Sequence, residues 1–487
     1  MLNPQTLAKN TMFLTVASVG QKVIAFLYFS VIARTIGVEN TGAYFLALAV
    51  VTTIGVLDDV GLTSVLIREV ARVPEKAKEW TQNVIGAKCI AMPLTVLVAF
   101  FVPAMFGYDG DSATLVRIAI AIMLSDTLSL TFYGVLRGLH VLKYESLGIF
   151  VGQGLTAALG AVFLLTGHGT LPLLVVALIA GSTWNAVFSA VQVVRRLGIG
   201  VLQPSFSFGL SPLRAASAFF LAALFVKVYS YIDSFTLNAV IGKEAVGLYS
   251  VAYKLTYAFQ FLPMAFVGAL YPTFAAHVGN IPALRKTLID ALWYVALLAV
   301  PIVFGIFALA PEIVRYFYGA AYAGSVLPLS ILIFVLLFIF IDFPIGALLN
   351  ATGRQVTKTK IMGATMVVNA VANIVLVPRI GVPGASVAGL ITFIFMCMAG
   401  WYCLPSSLGI RLRDLVRSIG GIVVAGIIMS FVVIVVKQYV YWMLAVPVGA
   451  AVFFAALVAT KSFTIEHVRT FRHSLRSTSY ANTPSDS

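Results

Sequence analysis

The sequence predicts an all-α integral membrane protein with about fourteen membrane-spanning helices. Of its 487 residues, 60% are hydrophobic and only 10% are charged, whereas an average soluble domain carries about 25% charged residues. Apolar stretches such as 292–310 and 325–341 match the roughly 20 residues that a helix needs to cross about 30 Å of hydrocarbon. The polar linkers between these stretches are short, which leaves no room for a soluble catalytic or nucleotide-binding domain.

Hydropathy and helix breakers place two sets of six spans and a final pair. The first six lie near 10–33, 42–66, 82–106, 113–137, 144–166 and 171–194. The next six lie near 215–240, 246–275, 288–310, 325–349, 357–378 and 383–404, and the final pair near 415–437 and 439–460. These spans predict an N-terminal lobe over 1–196, a cytoplasmic linker over 197–214, a C-terminal lobe over 215–406, two further helices over 407–461 and a disordered cytoplasmic tail over 462–487.

The basic residues predict the orientation. A net charge of +14 in a helical membrane protein reflects Lys and Arg in cytoplasmic loops, so we expect no nucleic-acid partner. With the N-terminus inside, the predicted inner segments carry 22 Lys and Arg residues. The predicted outer segments carry five, which are Arg34, Lys243, Arg315, Arg379 and Lys437. This asymmetry predicts that both termini are cytoplasmic.

An internal repeat relates the two sets of six spans. Residues 36–44 (IGVENTGAY) align with residues 241–249 (IGKEAVGLY) at an offset of 205. At the same offset, Lys22 in the first span aligns with Lys227 in the seventh. Because each half has six spans, the repeats share one orientation and are related by an axis along the membrane normal. Such a pair of lobes encloses a central cavity.

Three lysines within the predicted spans are candidate ligands for an anionic substrate. A charge at the bilayer centre costs at least about 2.5–3.5 kcal/mol, so such residues normally face a cavity or a partner. Lys22 and Lys227 lie at equivalent midplane depths, and Lys254 lies one to two turns into the eighth span. Their chemistry suits a diphosphate group carried by a membrane lipid. The alternative is that each lysine neutralises a nearby acid, for example Lys227 with Asp233.

Acidic residues within the spans are candidates for ion coupling. Asp58 and Asp59 are predicted two to three turns from the cytoplasmic end of the second span, where one of them could hold a proton or a sodium ion. A helix-packing role beside Arg68 is the alternative. Asp342, deep in the tenth span, has no charged partner in its own helix. Another basic residue, Lys88, is expected to snorkel to the interface from near a span end.

Other sequence features argue against an enzyme. The chain contains no P-loop, so we expect no direct use of ATP. The three cysteines fall within predicted spans and the five histidines show no ligand spacing, so neither a disulfide nor a metal or other cofactor is expected. Pro263, Pro301 and Pro344 lie within predicted spans and should kink them.

Several segments resemble one transporter family. The region 10–72 contains ARTIGVENTGAYFLALA, then D-x-G-L at 59–62 and an Arg-Glu pair at 68–69. The second half contains VGLYSVAYKLTYAFQFLPMAFVGALYPTFA and NIVLVPRIGVPGASVAGLIT. These segments resemble the polysaccharide-export branch, the Wzx-type flippases, of the multidrug/oligosaccharidyl-lipid/polysaccharide (MOP) transporter superfamily. The resemblance covers spans one to fourteen.

This resemblance implies a V-shaped, MATE-like transporter that exports a polyprenyl-diphosphate-linked oligosaccharide from the inner to the outer leaflet of the plasma membrane. It implies cationic cavity residues, which Lys22, Lys227 and Lys254 would supply, and coupling to a proton or sodium gradient. Expected partners are the lipid-linked oligosaccharide, membrane lipids, and polymerase or glycosyltransferase machinery. Tyr28, Tyr229 and Tyr231 lie near the lysines in sequence and could stack on sugars.

Other functions remain open from the residues alone. A multidrug exporter of the same superfamily would favour an acidic cavity, whereas the first and seventh spans here are basic. A flippase for the peptidoglycan lipid precursor differs only in its glycan. A membrane glycosyltransferase or polysaccharide polymerase would need a large outer loop, and the predicted outer loops are short. A structural scaffold would leave the repeat-related lysines unexplained.

Overall fold

The computed structural model describes residues 4–207 and 210–462, and these residues are predominantly helical. Within this part of the chain, fourteen segments are long and apolar enough to cross a membrane, which confirms the predicted class. The first half forms helices α1 Pro4–Ile36, α2 Val38–Ile54, α3 Val56–Asp59, α4 Leu62–Arg72, α5 Ala77–Met105, α6 Gly110–Gly138, α7 Lys143–Leu165 and α8 Leu171–Leu197. The predicted tail lies outside the described residues beyond position 462.

The second half and the C-terminal pair follow the same pattern of long helices. The second half forms α9 Leu210–Val240, α10 Lys243–Ala258, α11 Phe261–Ala276, α12 Ile281–Ala308, α13 Ala310–Phe317, α14 Val326–Leu332, α15 Val335–Ala351, α16 Gln355–Ile380 and α17 Val382–Tyr402. The final pair is α18 Leu412–Val436 and α19 Trp442–Ala459. Helix α18 packs along α12, and α19 packs along α18, so the pair attaches to the second half.

The prediction of one continuous helix over 42–66 is wrong. The span ends at Asp59 because Val60 and Gly61 both adopt left-handed backbone conformations, with φ of 45° and 75°. An α-helix cannot continue through two such residues. The chain then begins the separate amphipathic helix α4. Asp58 and Asp59 therefore lie in the last turn of the span, not two to three turns inside it.

The eighth span, predicted near 246–275, is present over Lys243–Ala276, but its helix is interrupted between α10 and α11. Phe259 and Gln260 form a turn at this point, and Pro263 lies in the first turn of α11. Proline is tolerated in a first turn, where its missing N–H removes no helical hydrogen bond. Pro301 and Pro344 lie inside α12 and α15, as expected.

The internal repeat is visible in the packing of the helices. Helix α1 packs along α7, and its repeat counterpart α9 packs along α16. Likewise α7 packs along α8, and α16 packs along α17. The two halves meet where α2 crosses α10, which are the helices that follow the repeated I-G-x-E-x-x-G-x-Y segments.

Two glycines make the α2–α10 crossing possible. A Cβ atom on Gly42 would lie 1.9 Å from the carbonyl oxygen of Lys243, and one on Gly247 would lie 2.0 Å from that of Val38. Because positions 42 and 38 correspond to 247 and 243 at the offset of 205, the two contacts are symmetry-related. Only glycine allows this approach of two backbones. The repeated glycines therefore close the two halves against each other at the predicted outer end.

Polar contacts reinforce this closure. Lys243, at the start of α10, forms ion pairs with Glu39 at 3.4 Å and with Asp109 of the first half. Hydrogen bonds from Lys243 and Ser112 lower the pKa of Asp109 to about 2. Because the pKa of Asp109 is lowered in the folded protein, its ionised carboxylate stabilises the fold at higher pH. This contribution is lost only as the pH falls through about 2. Near it, the Tyr322 hydroxyl donates a hydrogen bond to the Ala33 carbonyl at 2.8 Å.

The halves also touch at the predicted cytoplasmic end. A Cβ atom on Gly61 would lie 2.4 Å from the carbonyl oxygen of Ala216 in α9. The Asp59 carboxylate accepts a hydrogen bond from the Thr63 hydroxyl in the first turn of α4. The D-x-G-L motif thus ends the second span, starts α4 and permits a close approach to the other half.

Replacing Gly247 with alanine should loosen the outer closure. The added methyl group would overlap the Val38 carbonyl, and overpacking of this kind costs about 1–3 kcal/mol. We expect a lower unfolding temperature and a longer distance between spin labels at the exposed positions 40 and 320. Gly154→Ala is the matched control, because no atom lies within 4 Å of its added Cβ. An unchanged label distance in Gly247→Ala would show that this contact does not hold the outer end closed.

Candidate functional site

The three predicted lysines line one cavity between the two halves. The cavity has a volume of about 400 Å³. Lys22 comes from α1, Lys227 from α9 and Lys254 from α10, so the repeat-related pair and the third lysine converge. The other lining residues are Ala25, Phe26, Val226, Tyr229, Ser230, Tyr231, Tyr253, Tyr257, Ala258, Gln260 and Phe393.

None of these lysines forms an ion pair within the described part of the chain. The Lys254 ammonium group lies 5.4 Å from the ring centre of Phe29 and 5.6 Å from that of Phe45. Such cation–π contacts contribute about 0.5–2 kcal/mol and leave the N–H donors available. Lys227 does not pair with Asp233, because neutral groups hold that carboxylate. The charge of Asp126 acts on Lys227 without a direct ion pair, so the cavity presents three cationic groups and one nearby carboxylate.

A helix break lies at the cavity wall. Ala258 and Gln260, on either side of the interruption between α10 and α11, both line the cavity. Where a membrane helix is broken, backbone groups are released from helical hydrogen bonds, and broken helices commonly mark transporter binding sites near the midplane. The break and the lysines therefore mark the same place.

Tyrosines form much of the cavity wall. Tyr229 and Tyr231 line it as expected, and sequence reasoning missed Tyr253 and Tyr257, whose ring centres are 4.4 Å apart. Tyrosines at positions 249, 253 and 257 recur every four residues, which is a signal for one helix face. The expectation that Tyr28 lies beside the lysines is wrong. Tyr28 is buried within the first half, where its hydroxyl packs so closely on Gly160 that an added Cβ would lie only 2.0 Å away.

A second cavity of about 480 Å³ adjoins the first and lies mainly in the first half. Lys227 lines both cavities. The second one is also lined by Asp59, Asp126, Gln21 and Asn185. Its lining is largely apolar but includes these polar and ionisable side chains, and we call it the polar chamber because they could contact a hydrated or hydroxyl-rich group.

The Asp59 carboxylate lies next to a buried lysine. Lys88 is only 1% exposed, and its ammonium group donates a hydrogen bond to Asp59 Oδ1 at 3.0 Å. The expectation that Lys88 snorkels to the interface is therefore wrong, because its charge is paired inside the protein. Asp58 is fully buried near Thr127, and neither of its oxygens is in hydrogen-bonding geometry with a described residue.

Asp342 also has a lysine partner, which comes from another helix. The Lys358 ammonium group donates to both carboxylate oxygens of Asp342, at 2.7 and 2.8 Å, and both side chains are buried. The predicted topology places Lys358 in a cytoplasmic loop. This is wrong, because Lys358 lies in the first turns of α16. The excess of basic residues at that end persists without it.

Asp233 lies at the centre of a buried polar cluster that sequence reasoning missed. The Tyr249 hydroxyl donates to Asp233 Oδ2 at 2.6 Å, and the Asn373 amide donates to Oδ1 at 2.5 Å. The Asn369 amide donates to the Thr392 hydroxyl at 2.9 Å. Asparagines four residues apart in an apolar span were the available signal. The cluster holds one carboxylate with uncharged groups from α10, α16 and α17.

Comparisons with known proteins agree with this arrangement. The family described as "Polysaccharide biosynthesis protein" matches residues 7–278, which is more than half of the chain. The chain belongs to this family. A second family, described as "MatE", matches residues 218–375.

Curated relatives of this family member carry flippase or transport names. The "Probable low-salt glycan biosynthesis flippase Agl15" of Haloferax volcanii is 23% identical over 93% of the chain and 95% of its own length. The "Succinoglycan biosynthesis transport protein ExoT" of Rhizobium meliloti is 23% identical over 67% of the chain and 66% of its own length. The family member is thus a membrane transporter of the flippase type and not an enzyme.

Solved structures confirm the fold. "Lipid II flippase MurJ, inward closed conformation" aligns with a TM-score of 0.72 at 16% identity, over 91% of this chain and 98% of its own. An inward-facing multidrug resistance MATE family transporter of the MOP superfamily aligns with a TM-score of 0.64 at 17% identity, over 80% and 95%. The chain therefore has the fold of the MOP superfamily, as the resemblance implied.

Removing one partner of the buried Asp342–Lys358 pair should destabilise the protein strongly. Lys358→Met leaves an uncompensated buried carboxylate, which typically costs about 3–5 kcal/mol. We expect a large fall in unfolding temperature for Lys358→Met and a substantial recovery in the double variant Lys358→Met/Asp342→Leu. Thermal unfolding of the purified variants measures both. If the double variant were no more stable than Lys358→Met, the charge pair would not be the source of the loss.

Proposed function

We propose that this protein moves a polyprenyl-diphosphate-linked oligosaccharide from the inner to the outer leaflet of the plasma membrane by alternating access. The observation that carries the proposal is the convergence of Lys22, Lys227 and Lys254 on one cavity, with no direct ion pair to any of them among the described residues. Leaving three ammonium groups at membrane depth is costly unless an anion compensates them. A diphosphate supplies that charge and accepts charge-assisted hydrogen bonds from the lysines.

The shape of the site favours a substrate with a polar head on the diphosphate. Because Lys227 lines both cavities, a diphosphate at the lysines has the polar chamber beside it. Asn185 and Gln21 offer amide donors and acceptors there, and the tyrosine rings of the three-lysine cavity offer faces on which sugars can pack. The names of the two flippase relatives also support a lipid-linked glycan as the substrate.

The charge asymmetry supports cytoplasmic termini and a substrate loaded from the cytoplasmic leaflet. Export to the outer leaflet would deliver the glycan to polymerase or glycosyltransferase machinery there. A second candidate function is export of cationic drugs, because the MatE description covers residues 218–375 and Asp126 lines the polar chamber. The lysines would repel a cation, so we place this function second.

Removing two lysines should abolish most transport. Each charged contact to a phosphate is worth about 1.5–3 kcal/mol, so Lys22→Ala/Lys227→Ala should slow translocation at least about tenfold. The assay follows a fluorescent polyprenyl-diphosphate oligosaccharide across the leaflets of proteoliposomes. Lys286→Ala removes an exposed charge at the predicted cytoplasmic end and should leave the rate unchanged. Wild-type protein that ignored the lipid but moved small cationic drugs would establish the exporter function instead.

We further propose that transport is coupled to a proton or sodium gradient. Two of the candidate acids are less suited to this role, because lysines already pair with Asp59 and Asp342. Asp233 is held only by neutral groups among the described residues. A buried carboxylate without a cationic partner is costly, so it is suited to take up a proton or a monovalent cation. Asp58 is a second candidate in the first half.

Replacing Asp233 with asparagine should uncouple transport from the gradient. The substitution keeps the shape and one of the two acceptor oxygens, but it removes the charge that binds the ion. We expect the transport rate under an imposed proton or sodium gradient to fall to the rate without a gradient. Asp111→Asn, at an exposed position of the predicted outer end, is the control. Gradient stimulation that persisted in Asp233→Asn would assign the coupling elsewhere.

A further inference from the structure

A separate cavity of about 690 Å³ lies at the predicted outer end, between α1, α13 and the start of α19. Two arginines line it, Arg34 from the first half and Arg315 from the second. Its wall is otherwise largely apolar and aromatic, formed in part by Leu27, Val31 and Trp442. The three-lysine cavity and this one share helix α1 but no lining residue.

The two arginines are exceptional among the basic residues of this end. Of the five that the topology places outside, Lys243 joins the two halves and Lys437 pairs with Glu312 at 3.0 Å. Arg379 donates to the Val375 carbonyl of its own helix. Lys243 and Lys437 are therefore paired with carboxylates and Arg379 does not line the cavity, whereas Arg34 and Arg315 both line it.

Neither cavity arginine forms an ion pair within the described residues. One N–H of Arg34 donates to the Tyr316 carbonyl at 3.1 Å, which holds the side chain in place. A guanidinium has five N–H donors, so most remain available. Glu312 also lines the cavity, but its charge is balanced by Lys437. The cavity therefore has a net positive charge.

Aromatic residues indicate the depth of the cavity in the membrane. The Tyr316 and Trp442 ring centres lie 5.5 Å apart, and those of Tyr441 and Trp442 lie 6.1 Å apart. Tyrosine and tryptophan gather at the membrane–water interface, at the level of the lipid headgroups. Leu27 and Val31 are about half exposed, at 49% and 53%, one to two turns along α1 from Arg34. An apolar surface therefore extends from the two charges towards the hydrocarbon.

We propose that this cavity binds the phosphate group of a lipid in the predicted outer leaflet. The two guanidinium groups bind phosphate oxygens through bidentate hydrogen bonds, and the lipid chain lies along Leu27 and Val31. Two lipids share this chemistry: the translocated diphosphate lipid after it leaves the lysine cavity, and a resident anionic phospholipid. The inference rests on the proposed function only for the first of these sources.

The position of the arginines along α1 relates this site to transport. Arg34 lies twelve residues beyond Lys22 on the same helix, which is about 18 Å at 1.5 Å per residue. A lipid diphosphate that left Lys22 towards the outer leaflet would reach the level of Arg34. The helix thus carries one cation at the depth of the cavity and one at the depth of the outer headgroups.

Photo-crosslinking tests the site without depending on transport. The full-length protein, in nanodiscs, is exposed to a diazirine-bearing farnesyl diphosphate or to a diazirine-bearing phosphatidylglycerol. Adducts are then mapped by mass spectrometry to residues 312–317 and 439–442. We expect wild-type protein to give adducts there, and Arg34→Gln/Arg315→Gln to reduce their yield at least fivefold. Arg379→Gln is the matched control and should retain the yield.

The single variant Arg315→Gln guards against a folding defect, because Arg315 is exposed and its side chain makes no described ion pair. It should reduce the yield at least twofold with an unchanged unfolding temperature. Loss with the diphosphate alone would assign the site to the translocated lipid, and loss with phosphatidylglycerol to a resident phospholipid. An undiminished yield with both lipids in the double variant would overturn the proposal. Because the lysine variants are not involved, this result is independent of the flippase assay.

Discussion

The cost of a charged group in hydrocarbon organises this protein. At least about 2.5–3.5 kcal/mol opposes each unpaired charge at the bilayer centre, and the chain compensates two of its buried lysines with carboxylates, Lys88 with Asp59 and Lys358 with Asp342. Each pair joins two different helices, α3 with α5 and α15 with α16, and so holds those helices together. Among the described residues, Lys22, Lys227 and Lys254 form no direct ion pair, and only Lys227 interacts with a nearby carboxylate, that of Asp126. The contrast separates charges that hold the fold together from charges that are available to a ligand.

The second constraint is the contact of two backbones at the repeat axis. Gly42 and Gly247 let α2 and α10 approach so closely that a single methyl group on either would overlap a carbonyl oxygen. The ion pairs of Lys243 are more exposed and lie around this contact, where water and salt weaken them. The close glycine contact therefore determines how the two halves meet at the closed outer end. The ion pairs of Lys243 add a smaller stabilisation of the same arrangement. A closure of this kind can open as a unit, which alternating access requires.

Much of the architecture could be predicted from the sequence because it depends on local composition and on the repeat. Apolar length predicts the spans, and the offset of 205 places Lys22 and Lys227 at one cavity. Contacts between distant residues could not be predicted this way. Nothing near Asp342 indicates that Lys358 reaches it from the next span. The end of the second span was placed too late because the left-handed conformation of Val60 interrupts an otherwise apolar pattern.

The two halves share the same arrangement of helices but carry different polar residues. At the offset of 205, Asp233 corresponds to Tyr28 and Lys254 corresponds to Ala49, so the buried polar cluster and the third lysine belong to the second half alone. Helix α10 connects these features. It carries Gly247 at the outer contact, Tyr249 bonded to Asp233, and Lys254 at the cavity.

An ion that binds at Asp233 would compete for the hydrogen bond from Tyr249 and so act on α10 directly. The same helix would then transmit the change to the outer closure at one end and to the substrate cation at the other. Under the proposed function, this single helix is the shortest physical connection between ion binding, substrate binding and opening. The connection needs no long-range pathway, because all three contacts lie within two turns of each other on α10.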